Sequence, residues 1–262
     1  MTKKDSIEKK TTKVKKVVKT SPKKKSNFPR ENKWHLVRWA LGLTVWVGLA
    51  MYAVQFVFSF LVAKLLPKEV LVSNVTNAVY QVVVYAAVLA VVIYVPWKFL
   101  KYKTTRDELG LRGLPTWTDL LLAPIGFIVT MIVAAGLTAL MMALLPQIQW
   151  DQTQVVGYKN LYQLSDFILA FLCLVVLAPV CEEVIFRGWL YGKLRVRLPA
   201  LPAMIIVSVL FGIMHGQWNV GVTVFAMSMG MCLMRELTGT VWSGVLLHMI
   251  KNGLAFYFLF VI

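Results

Sequence analysis

Long apolar stretches alternate with short polar breaks along this chain, and the stretch lengths match membrane crossings. A helix rises about 1.5 Å per residue, so roughly 20 apolar residues cover the hydrocarbon core. Residues 39–65, 74–96 and 119–145 each meet that length, and Pro146 closes the third. The stretch from Ser165 to about Arg197 is apolar at first and then carries Glu182, Glu183, Arg187, Lys193, Arg195 and Arg197. That pattern predicts one long helix whose end leaves the membrane. From Leu198 to Met234 no Asp, Glu, Lys or Arg occurs, which is too long for one crossing and predicts two short helices broken at Gly216-Gln217-Trp218-Asn219. A last helix follows Gly239, from about Val241 to Ile262. The expected fold is an all-α polytopic transmembrane helix bundle with seven main crossings, or eight helices if a long segment is subdivided. Residues 34–262 form the helical domain.

Composition supports the membrane reading. The chain is 58% hydrophobic and only 15% charged, whereas a soluble domain carries about a quarter charged residues. The charge is also concentrated: residues 1–33 hold 13 of the 28 Lys and Arg residues against Asp5, Glu8 and Glu31. Such a Lys-rich segment with Pro22 and Pro29 predicts a disordered polybasic cytoplasmic tail rather than a nucleic-acid-binding domain, which would present its basic residues on a folded face. The tail either orients the first helix or attracts anionic lipid, at ~1 kcal/mol per basic residue near the surface. The first apolar run is far longer than a signal-peptide core of roughly 7–15 residues, so it is expected to remain as a membrane helix.

Lys and Arg should collect on the cytoplasmic side of short loops. The tail, the 98–112 loop, the 193–197 cluster and Arg235 fall on one side, with only Lys68 and Lys159 as loop charges on the other. The expected topology is a cytoplasmic N-terminus and, for seven crossings, an external C-terminus. No internal repeat of the inverted-transporter type is visible, and the sequence sets no oligomeric state.

Charged groups inside membrane helices are costly, ~2.5–3.5 kcal/mol on insertion scales, so polar and ionisable side chains there are functional candidates by default. Here they are Glu182, Glu183 and Arg187 on the fourth helix, His215 at the end of the fifth, and His248, Lys251 and Asn252 on the last. Glu182 lies about as far before the Pro199–Pro202 turn as His215 lies after it, so a helical hairpin brings both to similar depth. His248 and Asn252 are one turn apart and share a face. Glu183 and Arg187 have the i,i+4 spacing of an ion pair, which leaves Glu182, about 100° round the helix, free for acid–base work. His248 and Asn252 are placed to donate to a developing oxyanion. Lys251 is expected to point away from that face, toward lipid or headgroups. Cys173, Cys181 and Cys232 sit in apolar stretches, read as packing residues rather than nucleophiles. Gly188, Gly212 and Gly230 are expected to permit close helix approach.

These residues fall into three motifs. Glu182-Glu183-Val184-Ile185-Phe186-Arg187 resembles E-E-x-x-x-R, Phe211-Gly212-Ile213-Met214-His215 resembles F-x-x-x-H, and His248-Met249-Ile250-Lys251-Asn252 resembles H-x-x-x-N. In that order, inside membrane helices, they resemble the CAAX-protease and bacteriocin-processing (CPBP, or Abi) intramembrane peptidases, which include type II CAAX prenyl endopeptidases. The motifs cover about residues 165–255, and Glu108 to Gly113 has the family's look, which puts the catalytic core at about 108–262.

The resemblance implies an intramembrane endopeptidase acting on a membrane-associated peptide or protein, with a bacterial cell membrane the expected location. It implies that Glu182 and His215 activate a water while His248 and Asn252 stabilise the tetrahedral intermediate, with Glu183, Arg187 and Phe211 in support. No cofactor is required in this reading. The alternative is a catalytic zinc held by Glu182, His215 and His248, although the common H-E-x-x-H arrangement is absent. CAAX-type processing, bacteriocin or pheromone maturation and self-immunity remain open as roles. The rival from another class is a non-enzymatic bacteriocin-immunity or binding protein using the same polar cluster, and a proton-coupled transporter is the third option.

Overall fold

A computed structural model describes residues 33–101, 103–152, 156–158 and 161–262. The predicted tail disorder and Lys159 lie outside the described residues, except that Lys33 is helical. Among the described residues eight helices follow one another: α1 (Lys33–Leu65), the single turn α2 (Lys68–Leu71), α3 (Asn74–Leu100), α4 (Trp117–Leu144), α5 (Leu164–Arg195), α6 (Ala200–Ile213), α7 (Trp218–Thr238) and α8 (Trp242–Phe260). All but α2 and α6 are long and apolar enough to cross a membrane. The chain is thus an all-helical, multi-pass membrane protein, with no strand among the described residues.

The helix ends obey local chemistry. Thr116 caps α4 in a box with Asp119, and Asp119 also accepts from Ser243 Oγ at 2.5 Å, tying the start of α4 to the start of α8. Gly239, with φ 73°, ends α7 in the left-handed conformation that glycine adopts without a Cβ penalty. The uncharged run after Leu198 does split near Gly216, whose φ is 69°. The two pieces are unequal, however. α6 has 14 residues and α7 has 21, so only α6 is short. At about 1.5 Å per residue it falls below the ~30 Å core.

Val37–Ile262 forms one packed unit. Within it α4 lies against α7 and α8, α6 against α7, and α5 against α3 and α8. Gly212 on α6 and Gly221 on α7 face each other, since a Cβ at Gly212 would stand 2.9 Å from the Gly221 carbonyl oxygen. Gly230 similarly admits Thr130 of α4. The approach at Gly188 is not to a helix: a Cβ there would be 2.8 Å from the Leu109 carbonyl oxygen. The segment before α4 is laid on α5 at that point. Arg235 Nη2 donates to the Glu108 carbonyl at 3.0 Å, Val241 N–H donates to the Gly110 carbonyl at 3.1 Å, and Lys193 pairs with Glu108 at 3.1 Å.

α5 is not a uniform α-helix. It widens into π-helical turns at Leu172–Leu177 and Val184–Leu190, which flank the two glutamates. The first has an evident cause in Pro179, which lacks an N–H and whose ring would clash with a carbonyl one α-turn earlier. Ala178 N–H accordingly reaches back to the Cys173 carbonyl. In the same register the Leu174 carbonyl would face Pro179 and go without a backbone donor.

The Gly188 approach is testable. Gly188→Ala should lower the stability of the detergent-solubilised protein by about 1–3 kcal/mol, as overpacking does. Gly42→Ala, with nothing within 4 Å of the new methyl, should be near neutral. Equal thermal-unfolding midpoints for the two variants would contradict the docking of Leu109 on α5.

Candidate active site

The first motif starts on the α-helical turn between the two π segments of α5 and runs into the second of them. Its central feature is a buried ion pair: Arg187 Nη1 donates to Glu183 Oε1 at 2.8 Å, with both side chains fully excluded from solvent. The i,i+4 pairing expected from the sequence is therefore present. Arg187 also stacks over the Phe211 ring, 4.4 Å from its centroid. Gly244 on α8 makes room for the acid, because a Cβ there would be 2.8 Å from Glu183 Oε2. One turn after Gly244, His248 places Nδ1 3.2 Å from Glu183 Oε1. An ionised carboxylate can only accept, so His248 donates from Nδ1 and turns Nε2 away from Glu183.

Glu182 is outside this pair, as its helix-wheel position suggested. Its Oε1 accepts from Tyr85 Oη of α3 at 2.6 Å, and its Oε2 lies 3.9 Å from His248 Nε2. His215, in the turn after α6, holds Nδ1 2.8 Å from the carbonyl of Phe211. Since a carbonyl oxygen accepts, Nδ1 carries the proton, and the neutral ring keeps its lone pair on Nε2. The Phe211 ring packs edge-on against both imidazoles, with centroid distances of 4.9 Å to His215 and 5.9 Å to His248. Glu183, Arg187 and Phe211 thus form the dry floor under the two histidines.

Glu182, His215, His248 and Asn252 all line one cavity of about 190 Å³. The hairpin argument for Glu182 and His215 and the shared-face argument for His248 and Asn252 both agree with that placement. Asn252 has a further task. Its Nδ2 donates to the Leu174 carbonyl at 2.9 Å, the group that Pro179 leaves without a backbone donor, so one of its two amide hydrogens ties α8 to α5.

Lys251 requires a correction. It does not point away from the site; it lines the same cavity as Glu182 and the histidines. The physical reason is simple: position 251 is three residues after His248, and i,i+3 neighbours share a helix face. Tyr85 was missed altogether. Its signal was a polar series at every fourth residue of a largely apolar helix, Asn77, Gln81 and Tyr85. These three, with Gln55 and Tyr80, line a second space of about 540 Å³ that shares Tyr85, Glu182 and His215 with the first. Cys173, Cys181 and Cys232 are buried and unpaired with one another, in keeping with a packing role.

The zinc alternative calls on Glu182, His215 and His248. Among the described residues no three of His, Cys, Asp and Glu are grouped as a metal site, so the three donors do not fit a metal as they stand.

Residues 164–254 match the family described as type II CAAX prenyl endopeptidase Rce1-like. No curated protein and no solved structure matches the chain. All three motifs fall inside the matched segment, so the match is consistent with the resemblance to the CPBP intramembrane peptidases that they carry.

Proposed function

We propose that this chain is an intramembrane endopeptidase of the CAAX type in which Glu182 activates a water molecule for attack on a peptide carbonyl. The observation that carries this reading is the contrast between two adjacent acids. Glu183 is bound to Arg187 and His248, whereas Glu182 lines a cavity with two imidazoles and a carboxamide. Glu182 takes a proton from water while His215 Nε2 accepts the water's other hydrogen, and the hydroxide adds to the carbonyl carbon. Oxyanion donors act most strongly where they are fixed in advance and bulk water is excluded. Protonated His248 donates from Nδ1 to Glu183 and from Nε2 to the oxyanion, and the second amide hydrogen of Asn252 serves the same oxygen. When the intermediate collapses the C–N bond breaks, and the proton held by Glu182 passes to the leaving amine.

Tyr85 acts by position. Its hydroxyl holds Glu182 Oε1, which leaves Oε2 as the oxygen facing His248 and the water. The substrate is a membrane-associated peptide, because the catalytic cavity is walled by helices that themselves lie in the bilayer. The loop charges favour an N-terminus on the cytoplasmic side, and a bacterial cell membrane is the setting that the family resemblance implies.

Glu182→Gln should reduce cleavage of a membrane-anchored reporter peptide by about 10²–10⁴-fold, the usual contribution of a positioned base, with the protein inserted at normal levels. Full turnover by that variant would end the proposal. Tyr85→Phe should cost about tenfold in kcat/KM, in line with loss of one hydrogen bond to a charged group; an unchanged rate would remove Tyr85 from the mechanism. For catalysis by carboxylate and imidazole alone, the purified active protein should carry less than stoichiometric zinc and keep its rate in chelator. Stoichiometric zinc whose removal abolishes cleavage would replace this mechanism with a metal-assisted one.

A further inference from the structure

Among the described residues Lys251 is the one lysine or arginine lining the catalytic cavity, and the water-activation scheme above leaves it unused. Its surroundings are unlike those of the other basic side chains near the site. Arg187 is bound to Glu183, Arg195 to Glu236 and Lys193 to Glu108. The Lys251 side chain makes no hydrogen bond or ion pair within the described residues, and it shares the cavity with the carboxylate of Glu182. An ammonium carried on a membrane helix is costly unless something compensates it. A long, flexible stem ending in three donors and no acceptor suits capture of a carboxylate that arrives from outside the protein.

The position of Lys251 on α8 gives such a carboxylate a definite place. Lys251 stands beside Asn252 in sequence and less than one turn beyond His248, both assigned to the oxyanion. A peptide whose scissile carbonyl sits between Glu182 and these donors would bring groups close to the bond within reach of the ammonium. We propose that Lys251 forms a carboxylate-binding subsite of the catalytic cavity, so that the enzyme favours peptides bearing an anionic carboxylate close to the scissile bond. This inference rests on the proteolytic reading and narrows its substrate class. The carboxylate is either the peptide's own C-terminus or an Asp or Glu side chain, which present the same chemistry to an ammonium.

The test is a matched set of membrane-anchored peptides cleaved by the full-length protein in bilayers. One pair differs only in a free or amidated C-terminus, the other only in Asp or Asn next to the scissile bond. Wild-type enzyme should prefer the acidic member of one pair by about tenfold or more in kcat/KM, expressed mainly in KM, as expected for a charge-assisted hydrogen bond. The pair that shows the preference identifies the carboxylate's source. In Lys251→Met that ratio should fall to near one, and Lys251→Arg should restore part of it. Cleavage of all four peptides at equal rates by wild-type enzyme would overturn the subsite while leaving the protease assignment intact. An equal loss on acidic and neutral peptides in Lys251→Met would also overturn it, assigning the ammonium to charge compensation of Glu182. Absence of any Glu182-dependent cleavage would instead defeat the proteolytic reading, and the subsite with it.

Discussion

A carboxylate on a lipid-embedded helix must find a counter-charge or a hydrogen-bond donor, and the adjacent acids Glu182 and Glu183 meet that requirement in different ways. Glu183 takes the guanidinium of Arg187 and the imidazole of His248 and is wholly buried. Breaking such a pair by removing one partner typically costs about 3–5 kcal/mol, because a buried charge is left uncompensated. Among the described residues Glu182 takes only the Tyr85 hydroxyl at hydrogen-bonding distance, and it faces a cavity. The buried acid thereby fixes one histidine beside the acid that faces the cavity. Two residues of identical chemistry acquire different roles from a rotation of about 100° around one helix.

The rest of the site depends on how closely the helices approach that pair. Gly244 allows α8 to pass against Glu183, and Gly188 allows the segment ending in Gly113 to lie on α5. The irregular turns of α5 serve the same end. Pro179 leaves the Leu174 carbonyl without a backbone donor, and the side chain of Asn252 supplies one from α8. A polar residue that would be costly inside a helix bundle thus satisfies a backbone group and still reaches the cavity. π turns recur where helices carry functional residues, and here they bracket Glu182 and Glu183.

Most of this arrangement is legible in the sequence. Hydropathy located the helices to within a few residues, since a membrane helix must be both long and apolar, and Gly216 and Gly239 marked two of the breaks. The i,i+4 rule found the Glu183–Arg187 pair, and counting residues from the Pro199 turn brought Glu182 and His215 to one level. Interactions between helices distant in sequence were harder to read. Nothing in residues 74–100 announces that Tyr85 would meet an acid 97 positions later, although its four-residue spacing from Gln81 and Asn77 hinted at a polar face. Lys251 was assigned to the wrong side because long basic side chains often snorkel, when its i,i+3 relation to His248 placed it with the site. The unequal lengths of α6 and α7 were hidden by a run with no charge to mark where one helix ends.

The central claim is that Glu182 activates water rather than attacking the peptide itself. The most direct measurement is a single turnover in water enriched in oxygen-18, followed by mass spectrometry of the product and of the Glu182-containing peptide. The expected result is one heavy oxygen in the newly formed product carboxylate during the first turnover and none in Glu182. Heavy oxygen in the Glu182 carboxylate, with an unlabelled first-turnover product, would reveal a covalent acyl intermediate and contradict the claim.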